Sequence, residues 1–275
     1  MPQIPTITLN NGVDIPQLGF GVWQVEPDEV VGVVSAAFEA GYRHIDTAAG
    51  YENEEGVGEA IASSGIDRDD IFVTTKLDND AHGYDATLAA FDGNLERLSL
   101  DRVDLYLIHW PLPARDLYID SWRAFEKTYA DGRARSIGVS NFQPTHLRRL
   151  ISETTVVPAV NQIEVHPSLT QTDVRAVNAE LGIATEAWTP LGNGDFEATT
   201  VTAIADRVGK SPAQVVLRWH LQLGNIVFPK SVTPARIKEN ADLFDFELTD
   251  ADMASIGALD AGNRTGPDPD RFSGA

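Results

Sequence analysis

Gly41-Tyr-Arg-His-Ile-Asp46-Thr-Ala-Ala-Gly-Tyr51-Glu-Asn-Glu-Glu-Gly56 reads as the end of a strand, a short loop and the start of a helix. Residues 43–46 form the strand and Asp46 closes it. Tyr51 sits in the loop, and Asn53 and Glu54 lead into a helix whose acidic first turn suits its dipole. An aspartate and a tyrosine are thereby placed at the C-terminal end of one strand. Two later strands end in the same manner, at Lys76 and at His109.

Upstream, residues 4–15 hold two short alternating apolar segments around Asn10-Asn11-Gly12, which predicts a hairpin. Residues 17–22 read as a short buried strand, and residues 29–40 as a helix with Val30, Val34, Ala37 and Phe38 on one face. Downstream, strands are expected at 71–75, 103–108, 135–139, 160–165, 183–188 and 225–228. Helices alternate with them: 87–98, with Leu88, Phe91, Leu95 and Leu98 three and four apart; one marked by Trp122, Phe125 and Tyr129; 145–151; and 173–180. Ser211-Pro212 and Thr233-Pro234 each pair an N-cap with proline at the first helical position, and Thr249 opens a final helix. Eight strands follow the hairpin. The expectation is an α/β fold, a (β/α)8 TIM barrel with an N-terminal β-hairpin cap, forming a single domain over residues 1–275 with a loose C-terminal tail from about residue 262. A doubly wound dinucleotide fold would need G-x-G-x-x-G. Gly19-Phe-Gly21, Gly56-Val-Gly58 and Gly192-Asn-Gly194 all lack the third glycine, and no Walker A, H-E-x-x-H or G-x-S-x-G sequence is present.

Composition narrows the class. Of 275 residues, 43% are hydrophobic and none is cysteine, which excludes disulfides and thiolate chemistry. Residues 1–6 do not resemble a signal peptide, and no apolar run approaches the ~18 residues of a membrane helix. A cytoplasmic enzyme or binding protein is expected, acting as a monomer on a small molecule. The net charge is −20, from 41 acidic residues (25 of them Asp) against 21 basic ones, of which five are Lys. Such a surface repels nucleic acid and anionic membrane. The acids are spread along the chain, which reads as a halophilic adaptation: at molar salt the Debye length falls to about 3 Å and self-repulsion is screened.

In a barrel, polar residues at the C-terminal strand ends converge on one face. Here those are Asp46 with Tyr51, then Lys76, His109, Ser140-Asn141, Gln162-Glu164, Trp188 and Lys230. Each alone has an ordinary structural explanation, such as a loop cap or a core histidine; four at one rim suit proton transfer to a carbonyl. A tyrosine near its reference pKa of about 10 is a poor acid at neutral pH. An ammonium at Lys76 would lower that pKa, Asp46 would hold the lysine, and His109 would orient the carbonyl oxygen. No metal constellation is apparent. Lys230 and Arg236 flank a helix start at Pro234, a suitable anion site.

These residues resemble the aldo-keto reductase family over nearly the whole chain. The segments that carry the resemblance are Pro16-Gln-Leu-Gly, Asp46-Thr-Ala-Ala-x-Tyr51-x-Asn-Glu, Thr74-Thr-Lys76-Leu, Asp104-Leu-Tyr-Leu-Ile-His109-Trp-Pro, Ile137-Gly-Val-Ser-Asn141-Phe, Pro158-x-Val-Asn-Gln162-Ile-Glu-x-His-Pro and Phe228-Pro-Lys230-Ser. Within the family the chain is most similar to the bacterial 2,5-diketo-D-gluconate reductases, through Val157-Pro-Ala-Val-Asn-Gln and Ala213-Gln-x-Val-Leu-Arg-Trp-His220-Leu-Gln. The resemblance implies reduction of small aldehydes or ketones, keto-sugar acids included, with NADPH (NADP+) as cofactor. It implies Tyr51, Lys76, Asp46 and His109 as catalytic residues. Ser140, Asn141 and Gln162 would hold the nicotinamide carboxamide, and Trp188 would stack on the ring. Leu191 and Gly192 would cover the pyrophosphate; Lys230, Ser231 and Arg236 would take the 2′-phosphate; Glu239 and Asn240 would take the adenine. Trp23, Asp78 and Trp110 would line the substrate pocket. The chain departs from those reductases at Lys76-Leu77-Asp78-Asn79, where they read Lys-Leu-Trp-Asn, so an aromatic pocket wall is expected to be missing and the mouth beside Asp78 to be open and polar. The tail from Arg264 to Ala275 is divergent. Competing readings are a non-catalytic NADP-binding regulatory subunit and an alcohol dehydrogenase working in the oxidative direction.

Overall fold

The computed structural model describes residues 4–274. Asn10, Asn11 and Gly12 turn the chain between β1 (Thr6–Thr8) and β2 (Asp14–Pro16), which pair antiparallel with Ile7 opposite Ile15. Gly12 takes φ +85° in this turn, a region that glycine enters without a Cβ penalty. The hairpin then closes the N-terminal end of the barrel. Asn10 Nδ2 donates to the Pro158 carbonyl (2.9 Å), and Asn11 Nδ2 to the Arg135 carbonyl (3.0 Å) and Ser136 Oγ (3.1 Å). Leu9 and Ile15 pack against Phe72, Leu105, Leu107, Val160, Ile226 and Phe228 inside it.

The chain then alternates as the apolar periodicity predicts. In order it forms β3 (Phe20–Gly21), α1 (Val30–Glu39), β4 (His44–Asp46), α2 (Glu54–Ser63), β5 (Phe72–Leu77), α3 (Tyr84–Leu98), β6 (Val103–Ile108) and α4 (Tyr118–Ala130). The second half comprises β7 (Ala134–Ser140), α5 (Pro144–Glu153), β8 (Val160–Glu164), α6 (Thr172–Glu180), β9 (Ala184–Trp188), α7 (Thr199–Val208), α8 (Pro212–Gln222), β10 (Ile226–Val227), α9 (Pro234–Ala241) and α10 (Asp250–Gly257). Strands β3 to β10 pair in chain order, all parallel. The ring closes where Leu18 bridges Val227, with the Gly19 N–H donating to the Val227 carbonyl (2.9 Å) and the Val227 N–H to the Gln17 carbonyl (3.0 Å). This is the expected (β/α)8 TIM barrel. The main apolar core lies between the strands and the surrounding helices, where Phe38, Phe91, Trp122, Phe125, Leu150 and Trp219 are buried.

Two ionic supports explain otherwise puzzling acids. Asp104, fully buried in β6, accepts from Arg68 (2.8 Å), Arg135 (2.8 Å) and the Val73 N–H (2.9 Å), so its charge is paired three ways. Glu54, in the first turn of α2, is buried too. It accepts from Thr75 Oγ1 (2.5 Å), Asn94 Nδ2 (2.7 Å) and Arg97 Nε (2.7 Å), and so ties α2 and α3 to β5 beside Lys76.

The structure differs from expectation in two places. A further helix, α7, lies between β9 and α8. The tail from 262 is not loose: it runs back across the C-terminal rim. The Ala261 and Asn263 N–H groups donate to the Ser168 carbonyl (3.1 and 3.0 Å), and Thr265 donates to Glu164 through N (2.6 Å) and Oγ1 (2.5 Å). Phe272 lies on Trp110 with ring centroids 4.6 Å apart. The cause is Glu164, whose buried carboxylate at the end of β8 needs donors that the tail supplies.

Candidate active site

Parallel pairing brings the ends of β4 and β5 side by side. Lys76, one residue before the end of β5, is fully buried and spends its three N–H donors on Asp46 Oδ1 (2.7 Å), the Thr47 carbonyl (2.9 Å) and Tyr51 Oη (3.2 Å). Tyr51 ends a single 3-10 turn, Ala49–Tyr51. That turn is held by Asn53, which accepts from Thr47 Oγ1 (3.0 Å) and donates to the Val22 and Val25 carbonyls (2.9 and 3.1 Å). His109, just after β6, faces Tyr51 edge-on with ring centroids 5.8 Å apart. The four residues expected at one rim do meet there.

Their protonation states follow from burial and charge. Burial would lower the Lys76 ammonium, but Asp46 and Tyr51 outweigh it and raise its pKa, so Lys76 is a cation. For Tyr51, burial raises the phenol and Lys76 pulls it down; burial prevails, and the net shift is upward. The lowering expected from Lys76 alone is therefore present but outweighed, and the phenol carries its proton at neutral pH. Burial, then the Lys76 charge, lowers His109 to about 3, leaving a neutral imidazole. The arrangement is a protonated phenol beside a fixed cation, able to give a proton and to stabilise the resulting phenolate.

Register places a second group of residues around the same mouth. Ser140 pairs with Gln162, Gln162 with Glu186, and Glu164 with Trp188. Ser140 Oγ donates to the Gln162 carbonyl (2.8 Å), and Asn141 Nδ2 to the His109 carbonyl (3.0 Å) and Ser140 Oγ (3.1 Å). Asn141 Oδ1 accepts from Trp188 Nε1 (2.8 Å), which sets the plane of that indole. Asn141 does this from φ +64°, a left-handed conformation that asparagine tolerates. Of the three residues expected to hold a carboxamide, Ser140 and Asn141 thus bond mainly to each other and the frame. Gln162 has an amide oxygen without a partner among the described residues.

Leu191 and Gly192 lie in the loop after β9. That loop is anchored by Asp195, which accepts from Ser168 through N (2.7 Å) and Oγ (2.9 Å) and meets His166 Nδ1 at 2.8 Å. His166 Nε2 lies 3.1 Å from Glu164 Oε1. Burial would lower His166, but the two carboxylates outweigh it and raise its pKa. One buried imidazole thus joins the loop after β9 to the carboxylate that holds the tail. Lys230 and Arg236 are exposed and make no ion pair among the described residues, at the start of α9, where Ser231 Oγ accepts from the Thr233 N–H (3.1 Å). Glu239 is exposed and Asn240 buried on the same helix.

Trp110 is at the mouth, covered by Phe272, and Trp23 is 53% exposed. Asp78 lies beside the Tyr51 loop, its Oδ2 3.3 Å from the position a Cβ on Gly50 would take. Its Oδ1 accepts from the Asp80 N–H (3.0 Å) at the head of the turn Asn79–Ala81. It also lines a cleft of about 540 Å³ with Ala49, Glu52, Glu55, Ala90 and Arg97. Sequence reading missed Glu186, His166 and Phe272 as parts of the site. Among the described residues, no group of three or more His, Asp or Glu is placed to hold a metal ion, and no helix is long and apolar enough to cross a membrane.

A model of the aldo/keto reductase family matches residues 17–261. The chain is 49% identical over 277 residues to the methylglyoxal reductase DkgA of Escherichia coli strain K12, covering 100% of both chains. It is 52% identical over 269 residues to the glyoxal reductase of Bacillus subtilis strain 168, covering 97% of each. The solved structure of a Bombyx mori aldo-keto reductase in complex with NADP matches with a TM-score of 0.92 at 40% identity, over 98% of this chain and 97% of that one.

Proposed function

The chain belongs to the aldo/keto reductase family and is an NADP-dependent, carbonyl-reducing oxidoreductase, and we propose that it reduces small aldehydes and ketones, α-dicarbonyls such as methylglyoxal and glyoxal foremost, with Tyr51 as proton donor. The observation that carries this reading is the Lys76 ammonium bonded to both Tyr51 Oη and Asp46 at the barrel mouth. When bound, the reduced nicotinamide supplies the hydride. Tyr51 gives its proton to the carbonyl oxygen, Lys76 stabilises the phenolate left behind, and Asp46 keeps Lys76 charged and in place. Neutral His109 offers a ring N–H to orient the oxygen. Trp188, its plane set by Asn141, and Gln162, with its free Oε1, fit the nicotinamide, while Lys230 and Arg236 fit the phosphate. The test is NADPH consumption with methylglyoxal, glyoxal, a simple aldehyde and 2,5-diketo-D-gluconate. Turnover of the first two and of the aldehyde is expected, and absence of turnover with every carbonyl overturns the reading.

Cofactor choice follows from the start of α9. Lys230 and Arg236, at the start of this helix, make no ion pair among the described residues, and charge-assisted hydrogen bonds contribute about 1.5–3 kcal/mol each. NADPH should therefore bind at least about tenfold more tightly than NADH. Arg236→Ala should weaken NADPH binding by about that factor and leave NADH nearly unchanged. Equal affinities in the parent protein would remove the assignment.

The acidic surface supports a halophilic reading. Asp69, Asp80 and Glu247 keep 76%, 85% and 83% of their side-chain surface exposed even where they meet an arginine. Such pairs contribute little, and carboxylate repulsion opposes compaction in dilute buffer. The Tm should rise substantially between about 0.1 and 2 M KCl as the Debye length falls from about 10 Å toward 3 Å or less. A flat or falling midpoint overturns the halophilic reading and leaves the reductase untouched.

A further inference from the structure

Glu186 is a carboxyl of the barrel interior to which neither the family resemblance nor the proton-transfer scheme gives a part. It is fully buried in β9, two residues before Trp188 and on the same face of the strand. Its Oε2 accepts from Gln162 Nε2 at 2.9 Å, and the same nitrogen donates to Asp46 Oδ2 at 2.8 Å, across the barrel. Its Oε1 has no partner among the described residues.

An amide has two N–H donors on one side and an oxygen on the other. With a carboxyl oxygen at the end of each N–H, the reverse orientation would set the amide oxygen against Asp46, which is already committed to Lys76. Asp46 alone would leave the second N–H free and the amide able to swing about a single bond. Glu186 supplies the second anchor. We propose that Glu186 is a positioning residue for cofactor recognition: with Asp46 it takes both N–H bonds of Gln162, and so aims Gln162 Oε1 at the primary amide of the nicotinamide carboxamide. The proposal rests on the reading of Gln162 as a carboxamide contact.

The state of Glu186 agrees with this geometry. Burial, then the Asp46 charge, raises its carboxyl to about 8, so it is neutral at pH 7 and accepts one bond without adding a second buried charge beside Asp46.

Equilibrium binding tests the proposal without turnover. The ligands are NADP+ and its 3-acetylpyridine analogue, in which a methyl ketone replaces the carboxamide and no N–H remains to donate; quenching of tryptophan fluorescence reports both. Glu186→Met removes the anchor. It should weaken NADP+ by about tenfold, the loss expected for one hydrogen bond, and the analogue by less than about twofold. Glu186→Gln keeps an acceptor in the same place and should bind NADP+ within about twofold of the parent. Gln162→Met is the control and should show the same discrimination as Glu186→Met or more. If Gln162→Met discriminates and Glu186→Met does not, Glu186 is idle and only this proposal falls. If Gln162→Met fails to discriminate, the reading of Gln162 falls and takes the proposal with it. Equal weakening of both ligands by Glu186→Met means a merely structural role and also overturns it. Thermal melts accompany each variant, and Glu186→Leu replaces the Met variant should that one not fold.

Discussion

Tyr51→Phe is expected to lower NADPH-dependent aldehyde reduction by about 10²–10⁴-fold, the usual contribution of a general acid, with Tm and NADP+ affinity held near the parent values. The fold should survive because the hydroxyl is the third partner of Lys76, not its main one: Asp46 Oδ1 at 2.7 Å and the Thr47 carbonyl at 2.9 Å remain. No charge is stranded and no apolar contact is lost, since the ring still faces His109. What disappears is the hydroxyl bonded to Lys76, the proton donor of the proposed reaction. The pH profile carries a second signature. Burial raises the Tyr51 pKa, so the donor form persists above the ordinary tyrosine range, and reduction by the parent enzyme should decline only at strongly alkaline pH. Activity of the Phe variant within a few-fold of the parent would remove Tyr51 from its role.

Lys76→Met should be comparably severe in rate, and it should also destabilise. The Lys76 ammonium lowers the Tyr51 pKa and stabilises its phenolate; without it burial acts unopposed and proton release becomes harder. Asp46 is left as a buried carboxylate bonded to Gln162 alone, and removing one partner of a buried pair costs about 3–5 kcal/mol. The two effects separate in the double variant Asp46→Asn with Lys76→Met. Neutralising both partners should recover most of the lost Tm while activity stays about 10²-fold or more below the parent. Recovery of turnover along with Tm would show that Lys76 acts through stability rather than on Tyr51.

The barrel was legible because its strands are short apolar runs bounded by turn residues, and because polar residues recur at their C-terminal ends. Asp46, Tyr51, Lys76 and His109 meet where that logic puts them. For Asp78 a strand end alone does not say that a short carboxylate also caps the next turn, as its Oδ1 does through the Asp80 N–H. Helix α7 escaped because it opens on Thr199-Thr200-Val201, β-branched residues of modest helix propensity, after an Ala198 N-cap that offers no side-chain hydrogen bond. The docking of the tail rests on Glu164 meeting Thr265, 101 residues away, and no local pattern encodes such a pair. Glu186 did leave a signal: a charged residue midway along a strand, at the even spacing from Trp188 that turns both to one face. Its meaning required knowing that Gln162 is its neighbour on β8.

The docked tail bears on how the protein is handled. A purification tag or reporter fused after Ala275 would start just beyond Phe272, whose ring lies on Trp110, and beside Gly274, where Arg115 Nη2 is 3.1 Å from the position of an added Cβ. Bulk attached there pulls on the segment that Thr265 and Glu164 hold down, and it sits close to the Phe272 ring that lies on Trp110. The other terminus leads into β1 of the hairpin, at the far end of the barrel from Tyr51. Handles for immobilisation or labelling belong on that side, where they load a structural plug and leave the working mouth free.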